Sequence, residues 1–289
     1  MSSSTDTAGA TARGVRGSPC VLVITPTLGQ SRFLDQTVAS VSAQAVPTLH
    51  LLAAPARCLQ SLRDRYPGVT VVPDHGPEGG VYGAINAALA AAAVISDWDW
   101  FTYINDDDVL LPGCSAALQR HLQSAGADAV LYGDVTAIDR RGQAIALVTT
   151  ERDPAWFPAL LQQGISPLMQ QGMLVSRRVV ARLGSFDTRY RLCADLDFWL
   201  RAYVAGARFC YHPLAVAQFR VHHGQLSSDT ALTEWEQAAI VQHLLPQPVS
   251  LGRMQLARWR YRLCNLPRYL ARARRRGLKT SYELLRHGT

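Results

Sequence analysis

The chain has 289 residues, 48% of them hydrophobic and 18% charged, enough for one large core or one domain plus an extension. Its longest apolar run, AINAALAAAAVI at residues 84–95, falls short of the ~18–20 residues that cross a bilayer, and its six cysteines lack the spacing of a CxxC metal pair or a disulfide framework. The net charge of +7 belongs to the tail, because 11 of 29 basic and one of 22 acidic residues lie from Arg253 onward; the remainder, at −3, argues against a nucleic-acid groove.

Residues 1–18 are small and polar and lack the apolar segment of a secretory signal, so they read as a disordered leader on a cytoplasmic protein. CVLVITPTL (20–28) is a buried-strand run, and SRFLDQTVASVSAQ (31–44) is a helix with Leu34, Val38 and Val41 on one face. A strand, TLHLLAA (48–54), a helix, RCLQSLRDRY (57–66), and a third strand, GVTVVP (68–73), follow. PDHGPEGG (73–80) is rich in breakers and leads into a helix of small residues, VYGAINAALAAAA (81–93). WDWFTYIN (98–105) is a fourth strand, and it ends on Asp106-Asp107-Asp108.

Beyond the aspartates, residues 111–123 read as a helix with Pro112 in its first turn, and AVLYGDV (129–135) as a strand. A loop-rich segment spans about 140–170; short helices at 176–184 and 195–206 each close on glycine. ARFCYHP (207–213) and AVAQFRV (215–221) read as two strands, and from about residue 230 the sequence is helical and Arg-rich. Strands alternating with helices predict an α/β fold with a mostly parallel, doubly wound sheet. Ligands of such sheets bind at the carboxyl ends of strands, where the three aspartates lie.

Five segments, in order, resemble the family 2 glycosyltransferases with the GT-A fold. They are VLVITPTLGQSRFLDQTVASVSAQ (21–44), EGGVYGAIN (78–86), YINDDDVLLPG (103–113), LGSFDTRYRLCADLDFWLRA (183–202) and FRVHHGQLS (219–227). The resemblance covers a GT-A domain at 19–228 and leaves 229–289 as a helical, Arg-rich extension. It implies an inverting, metal-dependent transfer of a sugar from a nucleoside-diphosphate sugar to a saccharide or lipid-linked acceptor, as in polysaccharide or glycoconjugate biosynthesis.

The site residues follow from the same resemblance. A divalent cation, Mn²⁺ or Mg²⁺, is expected at Asp106 and Asp108, with Asp108 as direct ligand and His222 supporting the metal or diphosphate. Asp106 and Asp107 are expected toward ribose or in water-mediated contact. Thr25, Pro26, Glu78, Gly80, Tyr82, Asn86 and Asn105 are expected beside the donor. Asp195 is the expected base, with Asp197 as alternative, and Gln170, Gln171 and Trp199 border the acceptor. The segment LLAAPARCLQ (51–60) lacks the acid that helps read the nucleobase in this family, so uridine, thymidine and guanosine donors stay open. Gly83 also stands where the family commonly has an acid.

Two other functions compete. A nucleotidyltransferase would want a Gly-rich basic loop after the first strand, where TPTLGQSRF offers one glycine and one arginine. An inactive transferase fold could serve as a membrane-docked binding module. In the tail, residues 253–279 set Leu256, Trp259, Leu263, Leu266 and Leu270 at steps of three and four among arginines. That pattern suits an anionic membrane surface, with Pro267 dividing it into two helices; a helical appendage packed on protein is the other reading.

Overall fold

A computed structural model describes residues 19–76, 79–95, 97–123, 128–222, 225 and 229–276. The expected leader, Glu78 and the end of the basic tail lie outside the described residues.

The first half winds as expected. Strands β1 (Val21–Pro26), β2 (Thr48–Ala54), β3 (Thr70–Pro73) and β4 (Trp100–Tyr103) alternate with helices α1 (Leu34–Ser42), α2 (Leu59–Arg65) and α3 (Gly80–Ile95). All six residues of β1 are buried, which its continuous apolar run requires of a strand covered on both faces. β1 pairs in parallel with β2 (Ile24 opposite Leu51) and with β4 (Ile24 opposite Tyr103), and β2 pairs in parallel with β3. The small residues of α3 let it lie close on this sheet, with Ala84, Ile85, Ala88 and Ala92 in the core.

The second half is mixed. β5 (Val109–Leu110), α4 (Pro112–Gln123), β6 (Ala129–Ile138), β7 (Ala144–Leu147), α5 (Phe157–Leu161), β8 (Leu174–Ser176), α6 (Arg177–Leu183), α7 (Ala194–Val204) and β9 (Arg208–Arg220) follow. The sheet runs β3-β2-β1-β4-β8-β6-β9-β5, with β7 beside β6. β8 is antiparallel to both β4 and β6, whereas β9 is parallel to β6. The two strands expected at 207–221 are one, β9, whose pairing with β6 slips on either side of Asp134. Gly133 marks the slip, since a Cβ there would stand 2.7 Å from the Leu214 carbonyl oxygen.

One pairing places the site. β5 follows the acidic turn directly and runs antiparallel to the end of β9, with Val109 opposite Gln218. This brings the start of the 220–222 segment against the aspartates.

Three helices follow: α8 (Thr230–Leu244), α9 (Leu251–Cys264) and α10 (Leu266–Arg276). Ile240 and Val241 of α8 belong to the main core, so packing continues past residue 228. α9 and α10 separate at Asn265, and Pro267 sits in the first turn of α10, where its missing N–H costs nothing. Their inner face, Ala257, Tyr261, Asn265 and Arg268, is buried; Tyr261 donates to Thr149 Oγ1 at 2.6 Å, Arg260 pairs with Glu151 and Arg268 with Asp134. Their outer face carries the whole expected stripe, Leu256, Trp259, Leu263, Leu266 and Leu270, each between 47% and 63% exposed. No described helix is long and apolar enough to cross a membrane.

Candidate active site

A cavity of about 850 Å³ opens at the carboxyl ends of β1, β3 and β4 and reaches the start of α7. Its acidic wall begins in the turn after β1. Thr27 donates to Asp106 Oδ2 at 2.5 Å, and Ser31 donates to the Asp106 carbonyl at 2.9 Å. Gly29 allows this turn with a φ of +79°, and a side chain there would press on Cys58 Sγ. Burial pushes the Asp106 carboxyl up to about 6, against the Thr27 hydrogen bond.

The three aspartates divide their work differently from the expectation. Asp107 Oδ2 lies 2.9 Å from His222 Nε2 and 3.4 Å from Gln225 Nε2, and both Asp107 and His222 line the cavity. Asp108 does not. It is fully buried, and its Oδ1 accepts from the Arg220 backbone N–H at 2.8 Å. Its Oδ2 accepts from Asn105 and Gln171, each at 3.3 Å. Burial, reinforced by the charge of Asp107, holds this carboxyl well above the ordinary range. Both oxygens of Asp108, expected as the direct metal ligand, are thus engaged by donors inside the protein.

Arg220, absent from the expected site residues, organises this wall. Its side chain is fully buried and donates to the carbonyls of Asp107 (2.7 Å) and Asp139 (3.1 Å) and to Gln36 Oε1 (2.7 Å). The guanidinium lies 4.3 Å from the centre of the Phe33 ring, against which His222 also packs.

Another part of the lining is the first turn of α7. Asp195 Oδ1 accepts from the Leu196 N–H at 2.8 Å and lies 3.1 Å from the Tyr82 hydroxyl, which is also 3.0 Å from the Leu192 carbonyl. Burial pushes the Asp195 carboxyl up to about 6, and the hydrogen bonds from Leu196 and Tyr82 work against it. Burial therefore outweighs the helix-start stabilisation of the charged form. Asp197, the alternative base, points elsewhere: it is buried and accepts from Arg201 Nε at 2.8 Å, while Arg201 also holds the carbonyls of Leu183 and Ser185.

Two expected donor contacts are also structural. Thr25 is buried against His50, 3.0 Å away. Asn86 makes two 2.9 Å hydrogen bonds with the backbone of Phe186, pinning the loop before α7. Neither lines the cavity, whereas Pro26, Gly80, Tyr82, Asn105, Asp106, Gln170, Gln171 and Trp199 do. Trp199 is only 3% exposed and packs edge-on against Phe157 and Phe209, so one edge of a core residue faces the cavity. The side-chain oxygens of Gln170 and Gln171 are buried without a hydrogen-bond partner. Thr27, Asp74 and Arg191 line the cavity too and were not anticipated. Asp74, directly after β3, is an acid near the one missing after β2, and PDHG shows it plainly.

Among the described residues, no three His, Cys, Asp or Glu side chains converge as a metal cage. Asp107 and His222 offer one oxygen and one nitrogen at the cavity wall. That pair fits a hard divalent ion that takes its other ligands from substrate phosphates and water.

A sequence profile described as "Glycosyltransferase like family 2" matches residues 18–262. Among solved structures, residues 1–349 of S. aureus TarS in complex with UDP-GlcNAc align with a TM-score of 0.59 at 16% identity, covering 91% of this chain and 77% of that one. Mannosyltransferase PcManGT from Pyrobaculum calidifontis, in complex with GDP-Man and Mn²⁺, aligns with a TM-score of 0.54 at 15% identity, covering 93% and 79%. Glucosyl-3-phosphoglycerate synthase from Mycobacterium tuberculosis, in complex with Mn²⁺, UDP and glucosyl-3-phosphoglycerate, aligns with a TM-score of 0.53 at 16% identity, covering 80% and 82%. The chain spans 46% of the longer TarS structure. At these identities the likeness is one of fold. No curated protein matches the sequence.

Proposed function

The chain belongs to the glycosyltransferase-like family 2, and from that premise we propose that it moves a sugar from a nucleoside-diphosphate sugar to a saccharide or lipid-linked acceptor, inverting the anomeric carbon. The observation that carries the proposal is a single cavity with the Asp107–His222 pair on one wall and Asp195 on another.

Asp195 takes the proton of the attacking acceptor hydroxyl. With its carboxyl pushed up to about 6, it is ionised at neutral pH yet a stronger base than an ordinary aspartate. Asp107 and His222 would hold Mn²⁺ or Mg²⁺, which offsets the negative charge of the departing nucleoside diphosphate. Asp106, fixed by Thr27, faces the ribose. Gln170 and Gln171, which line the cavity, offer amide groups to sugar hydroxyls. Asp74 is the acid available to read the base; the solved relatives hold UDP, UDP-GlcNAc or GDP-Man, which supports uridine and guanosine equally.

A lipid-linked acceptor suits the outer face of α9 and α10. Leu256, Trp259 and Leu263 stand exposed beside exposed Arg258 and Arg262, an apolar stripe with a cationic flank that fits an anionic membrane surface, at its cytoplasmic side.

Thermal shift of the full chain with UDP, dTDP and GDP, with and without Mn²⁺, tests the donor half of the reading. One nucleotide should stabilise the protein, and more so with Mn²⁺; no stabilisation by any of the three contradicts it. Release of nucleoside diphosphate rather than pyrophosphate separates sugar transfer from nucleotidyl transfer.

A further inference from the structure

We propose that Glu236 of α8 is a positioning residue for sugar transfer, holding the loop that presents Asp195. The proposal rests on the reading of Asp195 as base.

Glu236 is 1% exposed. Its Oε1 accepts from the Arg191 N–H at 2.7 Å, and its Oε2 accepts from the N–H groups of Leu192 and Cys193, both at 2.9 Å. Three consecutive backbone amides turned on one point form a nest for an anion. Here the chain fills that nest from a helix more than 40 residues downstream. Without the carboxylate, these three amides lose their acceptor, and the Cys193 N–H is left buried and unpaired.

The nest lies directly before α7, whose second residue is Asp195. It also reaches Asp195 by a second route, because the Leu192 carbonyl is 3.0 Å from the Tyr82 hydroxyl that meets Asp195 Oδ1. Arg191, Leu192 and Cys193 line the cavity, as do Thr233 and Gln237 of α8 itself. The helix is therefore a wall of the site as well as its brace. Asp195 is faced by Tyr82 of α3, Tyr103 of β4, Cys193 before α7 and Glu236 of α8; the Glu236 charge adds to the burial that raises its carboxyl.

Glutamine at 236 keeps one acceptor oxygen and turns an amide N–H₂ toward a backbone N–H, so the loop must shift. The test is diphosphate release from the nucleotide sugar that the wild type consumes, as a function of pH, for the wild type, Glu236→Gln, Glu236→Asp and Asp195→Asn, each checked for folding by circular dichroism. Glu236→Gln should lose kcat on the order of 10²-fold at unchanged donor KM, and its acid limb should fall to lower pH because a negative charge near Asp195 is gone. Glu236→Asp keeps the charge and should hold the wild-type limb with a smaller loss of kcat. A folded Glu236→Gln with wild-type kcat and limb overturns the proposal. Should Glu236→Gln not fold, Glu236→Asp decides: reduced kcat at unchanged KM supports it, and wild-type kcat overturns it. Wild-type turnover in Asp195→Asn overturns the base assignment beneath it, a result distinct from any outcome at Glu236.

Discussion

Asp195 is pulled two ways, up by burial and down by the hydrogen bonds of Leu196 and Tyr82. With its carboxyl near 6, the base form is lost as pH falls through about 6, so kcat/KM should decline on that acid limb. Tyr82→Phe removes one bond to the charged form; the midpoint of the limb should move to higher pH in a pH–rate profile. The same shift has a stability sign. The folded state binds this proton more tightly than the unfolded chain does, so the ionised carboxylate costs stability above pH 6, and the cost disappears as pH falls toward the ordinary carboxylate range. Asp195→Asn should therefore raise the melting temperature at pH 7.5, by about 2–4 °C. At the acidic turn, Asp107→Ala should weaken Mn²⁺-dependent nucleotide stabilisation by about 10-fold or more, with little effect on the unliganded protein. Asp108→Ala should do the reverse: it strands the Arg220 N–H, Asn105 and Gln171, and should lower stability by about 1–3 kcal/mol in urea denaturation. The triplet itself was legible as an acidic turn at a strand end. Which carboxylate turns outward was not, because that is decided by Arg220, 112 residues away.

At the scale of elements, α9 and α10 have two unlike faces. One face packs on the body through Tyr261, Asn265 and Arg268, and the other leaves Leu256, Trp259 and Leu263 outward. Replacing those three with serine should abolish co-sedimentation with vesicles containing phosphatidylserine while leaving the fold intact. Binding to the wild type should weaken as salt is raised. Wild-type binding by the triple variant would remove the stripe from the account. The first-half elements were legible because buried parallel strands read as unbroken apolar runs between helices with one apolar face. β8 was not, since three residues inside a breaker-rich stretch carry no periodicity. β9 read as two strands because Pro213 interrupts its pattern, and only pairing with β6 carries the strand through it.

For the whole molecule, the fold sets two chemical groups in the lining of one cavity. β5 on β9 delivers Asp107 to His222, while α3, α7 and α8 enclose Asp195. The expected boundary at residue 228 misses that enclosure: a glutamate on a helix of nearly even polarity looks solvated until its fold partner, the 191–193 loop, is in view. The measurement that bears most directly on the account is nucleoside diphosphate release from a panel of UDP-, dTDP- and GDP-sugars with Mn²⁺, by the wild type and Asp195→Asn. The wild type should consume at least one donor, and Asp195→Asn should bind it yet release diphosphate more slowly by about 10²–10⁴-fold. A wild type inert toward every donor, or an Asp195→Asn enzyme as fast as the wild type, would contradict it.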